Sequence, residues 1–207
     1  MSLMTNNLIP MQKEQTFVFI KPDGVQRSII GDVITRFEKT GLKLVATKMF
    51  MADIERLTTH YGKSDTWYES KGQNTIKNLE ERGMKATKPA VEYGKDIVRS
   101  LLKFMSAGPV VAMVWEGNSA VDVVTKLVGT TEPKSSDVGT IRGDMTVDSY
   151  KIASLDNRAV RNLMHCSDSP ENAQTEINIW FKPEDLMNYR NVNDIILYDV
   201  DWNHINE

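Results

Sequence analysis

Sulfur chemistry is nearly missing from this chain: in 207 residues Cys166 is the one cysteine. That excludes a disulfide framework within the chain and a zinc site built on several thiolates, and it suits a reducing compartment, with the cytoplasm as the default. Nowhere is there the run of roughly 18 apolar residues that a membrane-spanning helix needs, so no membrane partner is expected. Met1 to Pro10 shows no charged region leading into an apolar stretch, and Met1-Ser2-Leu3 before a second methionine reads as a short tail or an expression remnant. Residues 1–14 are therefore set aside as a tail and 15–207 taken as one domain. An excess of positive charge is missing too. The 25 Lys+Arg face 28 Asp+Glu, so no broad basic field invites nucleic acid, and any anion site must be local. Two phosphate-binding devices are likewise missing. The chain has no Gly-x-x-x-x-Gly-Lys-[Ser/Thr] and no glycine-rich loop with protein-kinase motifs, which excludes both of those arrangements.

What is present alternates between strand and helix signals. Thr16 to Ile20 is a short aromatic and β-branched run closed by Pro22-Asp23-Gly24, which predicts a buried strand feeding a turn, with Lys21 at its carboxyl end. Val33, Ile34 and Phe37 share a helical face that stops at Gly41, and Leu42 to Phe50 alternates as a second strand. Asp53 can cap a helix ending near His60 and Tyr61. Residues 62–94 are polar, lysine-rich and poorly periodic, and read as an insertion. Helical spacing returns with Ile97, Val98, Leu101, Leu102 and Met105. After Gly108-Pro109, the continuous apolar run Val110 to Trp115 predicts a central strand. Asn118 is the expected cap of a helix bearing Val121, Val124 and Leu127 and ending at Gly129, followed by a long loop to about Val160. Asn162 to His165 predicts a last strand, and Ser169 with Pro170 starts a last helix bearing Ala173, Ile177 and Trp180. This order predicts an α+β fold, a ferredoxin-like split βαβ sandwich whose antiparallel sheet is covered by helices on one side, with insertions at about 62–94 and 149–160.

Histidine is scarce: His60, His165 and His204. His165 falls between a strand end and a capped helix, beside Asn162, Ser167 and Asp168, a place where an imidazole can do chemistry as readily as fill space. A free imidazole titrates near pH 6.5, and its neutral form keeps a lone pair on one ring nitrogen.

Arg161-Asn162-Leu163-Met164-His165-Cys166-Ser167-Asp168-Ser169 resembles the active-site signature of nucleoside diphosphate kinases, Asn-x-x-His-Gly-Ser-Asp. Ile20 to Arg27, Gly108 to Gly117 and Gly139 to Asp144 resemble the same family in the same order, and the similarity runs from about Gln15 to Leu186 apart from the two insertions. The resemblance implies transfer of the γ-phosphate from nucleoside triphosphates to diphosphates by a ping-pong route through a phosphohistidine on His165. A weakly active or non-catalytic nucleotide-binding member of the fold is the alternative. A nucleic-acid module on a ferredoxin-like sheet is a third reading, disfavoured by the acidic balance. Glu176 is implied as the carboxylate accepting the second ring N–H, with Ser167 assisting. Lys21, Tyr61, Thr131, Arg142 and Asn162 are implied contacts to phosphate and sugar, and Ile97 and Leu101 lie where the base is covered. Arg142 can give a bidentate pair of hydrogen bonds. Magnesium is expected to arrive on the nucleotide (ATP, GTP, ADP or GDP), with no protein metal cage, and a homo-oligomer is implied.

The chain departs from the family pattern at three places. Thr125 stands where an arginine normally meets the β-phosphate, Ile97 where an aromatic ring covers the base, and Cys166 where glycine or alanine follows the histidine; Cys166 reads first as a small buried side chain, with oxidation that blocks His165 as the second reading. Lys71, Lys77, Arg82, Lys85, Lys88 and Lys95 are candidates for a replacement phosphate contact, against the favoured reading of that stretch as a solvated helical excursion.

Overall fold

The computed structural model describes residues 13–198; His204 and nearly all of the expected tail lie outside them. In chain order the elements are β1 (Glu14–Ile20), α1 (Pro22–Gln26), α2 (Ile30–Glu38), β2 (Lys43–Met51), α3 (Ile54–Tyr61), α4 (Asp65–Glu80), α5 (Ala90–Met105), β3 (Pro109–Gly117), α6 (Ala120–Val128), α7 (Ile141–Met145), α8 (Tyr150–Leu155), β4 (Met164–Cys166), α9 (Pro170–Trp180) and α10 (Val192–Tyr198). The four strands form one sheet in the order β2-β3-β1-β4 with every pairing antiparallel, the arrangement of a ferredoxin-like fold.

Helices cover both faces of this sheet, where one covered face had been expected. Successive side chains of a strand point to opposite faces. In β1, Phe17 and Phe19 pack on one side with Leu57, Tyr61, Val98, Met105, Ile177 and Trp180 of α3, α5 and α9. Val18 and Ile20 pack on the other with Val33, Phe37, Val124, Val128 and Ile141 of α2, α6 and α7. A five-residue run with no polar interruption except Thr16, itself buried, satisfies a strand buried twice, which is why β1 is uninterrupted rather than alternating.

Local expectations fail where backbone groups found different partners. Pro22-Asp23-Gly24 is the first turn of α1, with Lys21 as its cap, and not a free turn. Asn118 does not cap α6; Ser119 does, through a left-handed backbone at φ 49° and without a side-chain bond. The polar stretch 62–94 contains α4, capped by the Ser64 hydroxyl, which accepts from the Trp67 amide. Its apolar periodicity is weak because it meets α5 backbone to backbone. A Cβ on Gly72 would lie 1.7 Å from the Ala90 carbonyl oxygen, and one on Gly94 2.1 Å from that of Tyr68, so two glycines do the packing that a leucine stripe would do elsewhere. The second insertion folds as α8. Asp148 closes it, accepting from both terminal nitrogens of Arg158 at 2.6 and 3.0 Å and from the Arg161 amide at 2.7 Å.

Candidate active site

The end of β1 and the approach to β4 are held together by the first helical turn of the chain. Lys21 N–H donates to the Leu163 carbonyl at 2.8 Å, and the Asp23 carboxylate accepts from the Leu163 amide at 3.0 Å. Leu163 is fully buried and sits at φ 68°, a conformation that costs a branched residue on the order of 1–3 kcal/mol unless neighbours enforce it. Gly24 is where it is for the same reason, because a Cβ there would meet the Leu163 carbonyl oxygen at 2.9 Å and the Ile20 side chain at 2.7 Å. The Pro22-Asp23-Gly24 segment therefore sets the backbone that delivers His165.

In β4, His165 pairs with Phe19 and Cys166 with Val18. The pleat places His165 on the face of α3, α5 and α9 and turns Cys166 to the opposite face, where it packs with the α2 and α6 core and its Sγ lies 4.0 Å from the Thr125 hydroxyl. Burial raises the Cys166 thiol. Adjacency in sequence thus does not bring Cys166 to the histidine's side of the sheet.

On the His165 side, α9 begins as expected: Ser169 accepts from the Asn172 amide, and Pro170 occupies the first helical position. Two turns on, Glu176 faces β4. His165 Nε2 lies 3.0 Å from both carboxylate oxygens, and the Ser167 hydroxyl donates to Oε2 at 2.6 Å. Ser167 is itself placed by the β1 backbone, whose Phe17 N–H donates to its oxygen. An ionised carboxylate only accepts, so Nε2 carries the ring proton and Nδ1 keeps the lone pair. The ring is 23% exposed, so that lone pair is reachable.

Cationic and polar groups converge beside it. Lys21 Nζ donates to Asn162 Oδ1 at 2.8 Å, and Asn162 Nδ2 donates to the Thr131 carbonyl at 2.8 Å, linking the β1 end to the loop after α6. Burial, with Arg142 adding repulsion, lowers Lys21 to about 7. Arg142 is buried and gives four hydrogen bonds to backbone carbonyls: Nε to Asn162 at 3.1 Å, Nη1 to Gly129 and Thr130 at 2.9 and 3.0 Å, and Nη2 to Met164 at 2.7 Å. A guanidinium has five N–H groups, so one remains for a ligand and the expected bidentate pair does not fit this arrangement. Tyr61 stands 5.7 Å from His165, ring to ring, with its buried hydroxyl unpartnered; burial raises it. An orphaned buried hydroxyl and one spare guanidinium N–H beside a lysine form a place for an anion.

The structure thus gathers His165, Glu176, Ser167, Lys21, Tyr61, Asn162, Arg142 and the backbone of Thr131. Ile97 and Leu101 lie on α5, Ile97 exposed and Leu101 packed against the α3–α9 core. Of the six basic residues considered as a replacement at Thr125, Lys88 pairs with Asp96, Lys95 with Glu92, and Lys71 lies over the Trp67 ring. Sequence reasoning passed over His60 and Trp180. The i, i+4 spacing of Glu176 and Trp180 on one helix face was the available signal. His60 is buried at 4.7 Å from the His165 ring, and Trp180 Nε1–H donates to its Nδ1 at 3.3 Å.

The sequence profile of the family described as nucleoside diphosphate kinase matches residues 14–79 and 76–186. The nucleoside diphosphate kinase of Pyrobaculum aerophilum is 46% identical over 182 residues, which span 86% of this chain and all of that protein. That of Carboxydothermus hydrogenoformans is 37% identical over 90% of this chain and 99% of its own length. Among solved structures, an NDP kinase from Pyrobaculum aerophilum superposes with a TM-score of 0.80 at 43% identity, covering 86% of this chain and 100% of that one. A Borrelia burgdorferi nucleoside-diphosphate kinase, described as a transition-state mimic with bound vanadate and ADP, superposes with a TM-score of 0.73 at 35% identity over 90% and 97%.

Proposed function

The chain belongs to the nucleoside diphosphate kinase family, nucleotide-binding phosphotransferases, and we propose that it moves the terminal phosphate by a ping-pong route through a phosphohistidine at Nδ1 of His165. One observation carries this reading: the Glu176 carboxylate holds the proton on Nε2 and leaves Nδ1 as the open nitrogen, among Lys21, Tyr61 and Arg142. In the first half-reaction the Nδ1 lone pair attacks the γ-phosphorus as the bond to the β–γ bridging oxygen breaks, and the diphosphate leaves. In the second, the oxygen of an incoming diphosphate attacks the same phosphorus and the pair returns to Nδ1. Glu176 stabilises the positive charge the ring gains in between. The loose transition state spreads charge over equatorial oxygens, where Lys21, the Tyr61 hydroxyl and the spare Arg142 N–H are the available donors. The Borrelia relative, held with vanadate and ADP, supports an in-line transfer of this kind.

Magnesium enters with the nucleotide as part of the substrate. The one metal-like cluster among the described residues is His60, His165 and Glu176, and two imidazoles with one carboxylate do not suit a hard cation that wants six oxygens. A homo-oligomer is proposed for the assembly, supported by the edge strand β2 and its exposed Met49 and Met51, and the cytoplasm for the compartment, supported by the single cysteine. No helix among the described residues is long and apolar enough to cross a membrane. We take residues 15–207 as a single domain.

Incubation with γ-labelled ATP tests the route. Label should attach to protein in an acid-labile, base-stable form and leave on addition of a nucleoside diphosphate; acid-stable label, or none, would defeat it.

Lys21 adds a pH signature. Its lowered value means the free site loses a positive charge as pH rises through about 7, so kcat/KM, which reports the free enzyme, should fall with increasing pH above that point. Lys21→Arg, which stays charged, should lower the plateau but remove the fall. A profile for the parent flat from pH 6 to about 9 would contradict this assignment.

A further inference from the structure

Three side chains surround the carboxylate of Glu176, and only two have a use so far. His165 Nε2 and the Ser167 hydroxyl bond to it, while His60, with its side chain fully buried, presents Nε2 at 3.9 Å from Oε1. That nitrogen is buried and has no hydrogen-bond partner. An unpaired buried N–H costs about 1–3 kcal/mol, so its position asks for an explanation.

The protonation of His60 is fixed by its other nitrogen. An indole N–H can only donate, so the bond from Trp180 Nε1 requires a lone pair on His60 Nδ1. Burial drives the His60 pKa down to about 2, so the ring is neutral and its single proton sits on Nε2, on the side facing Glu176. We propose that His60 is a positioning residue that aims this Nε2–H at Glu176, in a tautomer set by the Trp180 indole, as a third donor to the carboxylate that orients His165.

The purpose follows from the chemistry of the phosphorylated ring. With phosphorus on Nδ1, the ring leaves as neutral imidazole only if Nε2 keeps its proton; a carboxylate basic enough to take that proton would make the leaving group an imidazolate and slow the second half-reaction. Hydrogen bonds to a carboxylate favour its charged form and reduce its basicity. A third donor from His60 therefore holds the proton on His165. A displacement of under about 1 Å closes 3.9 Å to a hydrogen bond, and the edge-to-face contact of the two rings, at 80° between planes, guides it.

The same atoms have a spacing that could hold a metal: one ligand atom from each of His60, His165 and Glu176, all within 4.8 Å of one another. Trp180 argues against that use. A metal on His60 Nε2 would push the proton to Nδ1, head-on against the indole N–H.

The inference rests on His165 being the phosphorylated residue, and its tests separate the two. In full-length protein carrying 15N-labelled histidine, long-range 1H–15N spectra should show His60 as the Nε2–H tautomer; an Nδ1–H tautomer would overturn the proposal whatever the kinetics. Asparagine places its amide near the Nδ1 position and glutamine near Nε2. His60→Asn should therefore lower kcat about tenfold, with nucleotide KM within about twofold. His60→Gln should recover most of that loss. Equal behaviour of the two folded variants, or zinc inhibition of the parent that both variants lose, would also overturn it. Throughout, acid-labile label on the parent at His165 reports separately on the phosphohistidine route.

Discussion

Replacing His165 with alanine should lower steady-state transfer by on the order of 10^4-fold or more, since removal of a covalent nucleophile leaves only what binding and donors contribute. The magnitude follows from the divided pathway: without Nδ1, a diphosphate would have to attack a triphosphate directly, two highly charged groups in one cleft. The fold should tolerate the change. His165 packs at a strand edge with a partly exposed ring, and His165→Ala leaves Glu176 bonded to Ser167, so melting should stay within a few degrees of the parent. Nucleotide binding, measured by calorimetry, should persist. Residual turnover above about 1% of the parent, with protein label intact, would move the reactive group elsewhere.

Arg142→Met should be the more damaging change to the molecule as a whole. The family resemblance suggests a phosphate ligand, yet four of the five guanidinium N–H groups bind the carbonyls of Gly129, Thr130, Asn162 and Met164. These carbonyls belong to two segments, the loop after α6 and the approach to β4, which share the Asn162 side-chain link. Methionine fills similar volume but leaves all four acceptors to be satisfied by whatever water can enter, at about 3–5 kcal/mol. At about 2–4 °C per kcal/mol for a chain of this size, the melting temperature should fall by roughly 10 °C. Turnover measured well below that temperature should fall as well, by about 10^2-fold or more, as Asn162 loosens its hold on Lys21. An unchanged melting temperature with lost turnover would reduce Arg142 to a substrate contact alone.

The strands were legible because burial leaves a local trace. Phe17-Val18-Phe19-Ile20 and Val110 to Trp115 are short apolar runs bounded by turn residues, which suit a buried strand, although the runs did not by themselves show that both faces are covered. The start of α9 was legible because its cap is Ser169 with Pro170 behind it, two adjacent residues and one hydrogen bond from the nearby Asn172 amide. Helix α4 was not, because glycine against backbone leaves no apolar stripe to read. The α6 cap was misplaced by one residue because Ser119 uses a left-handed backbone and no side-chain oxygen, so composition favoured Asn118.

The sequence by itself determined the strand order's raw material, the histidine and its neighbours, and the lack of any other phosphate-binding device, since each is a matter of residue type and short spacing. Only the tertiary structure decided which nitrogen of His165 is open, that Arg142 is mostly bound to the backbone, that Cys166 turns away, and that His60 stands behind Glu176. The reason is distance along the chain. Glu176 is 11 residues from His165 and His60 is 120 from Trp180, and no local periodicity records a direction between groups that meet only once β1 has been packed from both sides.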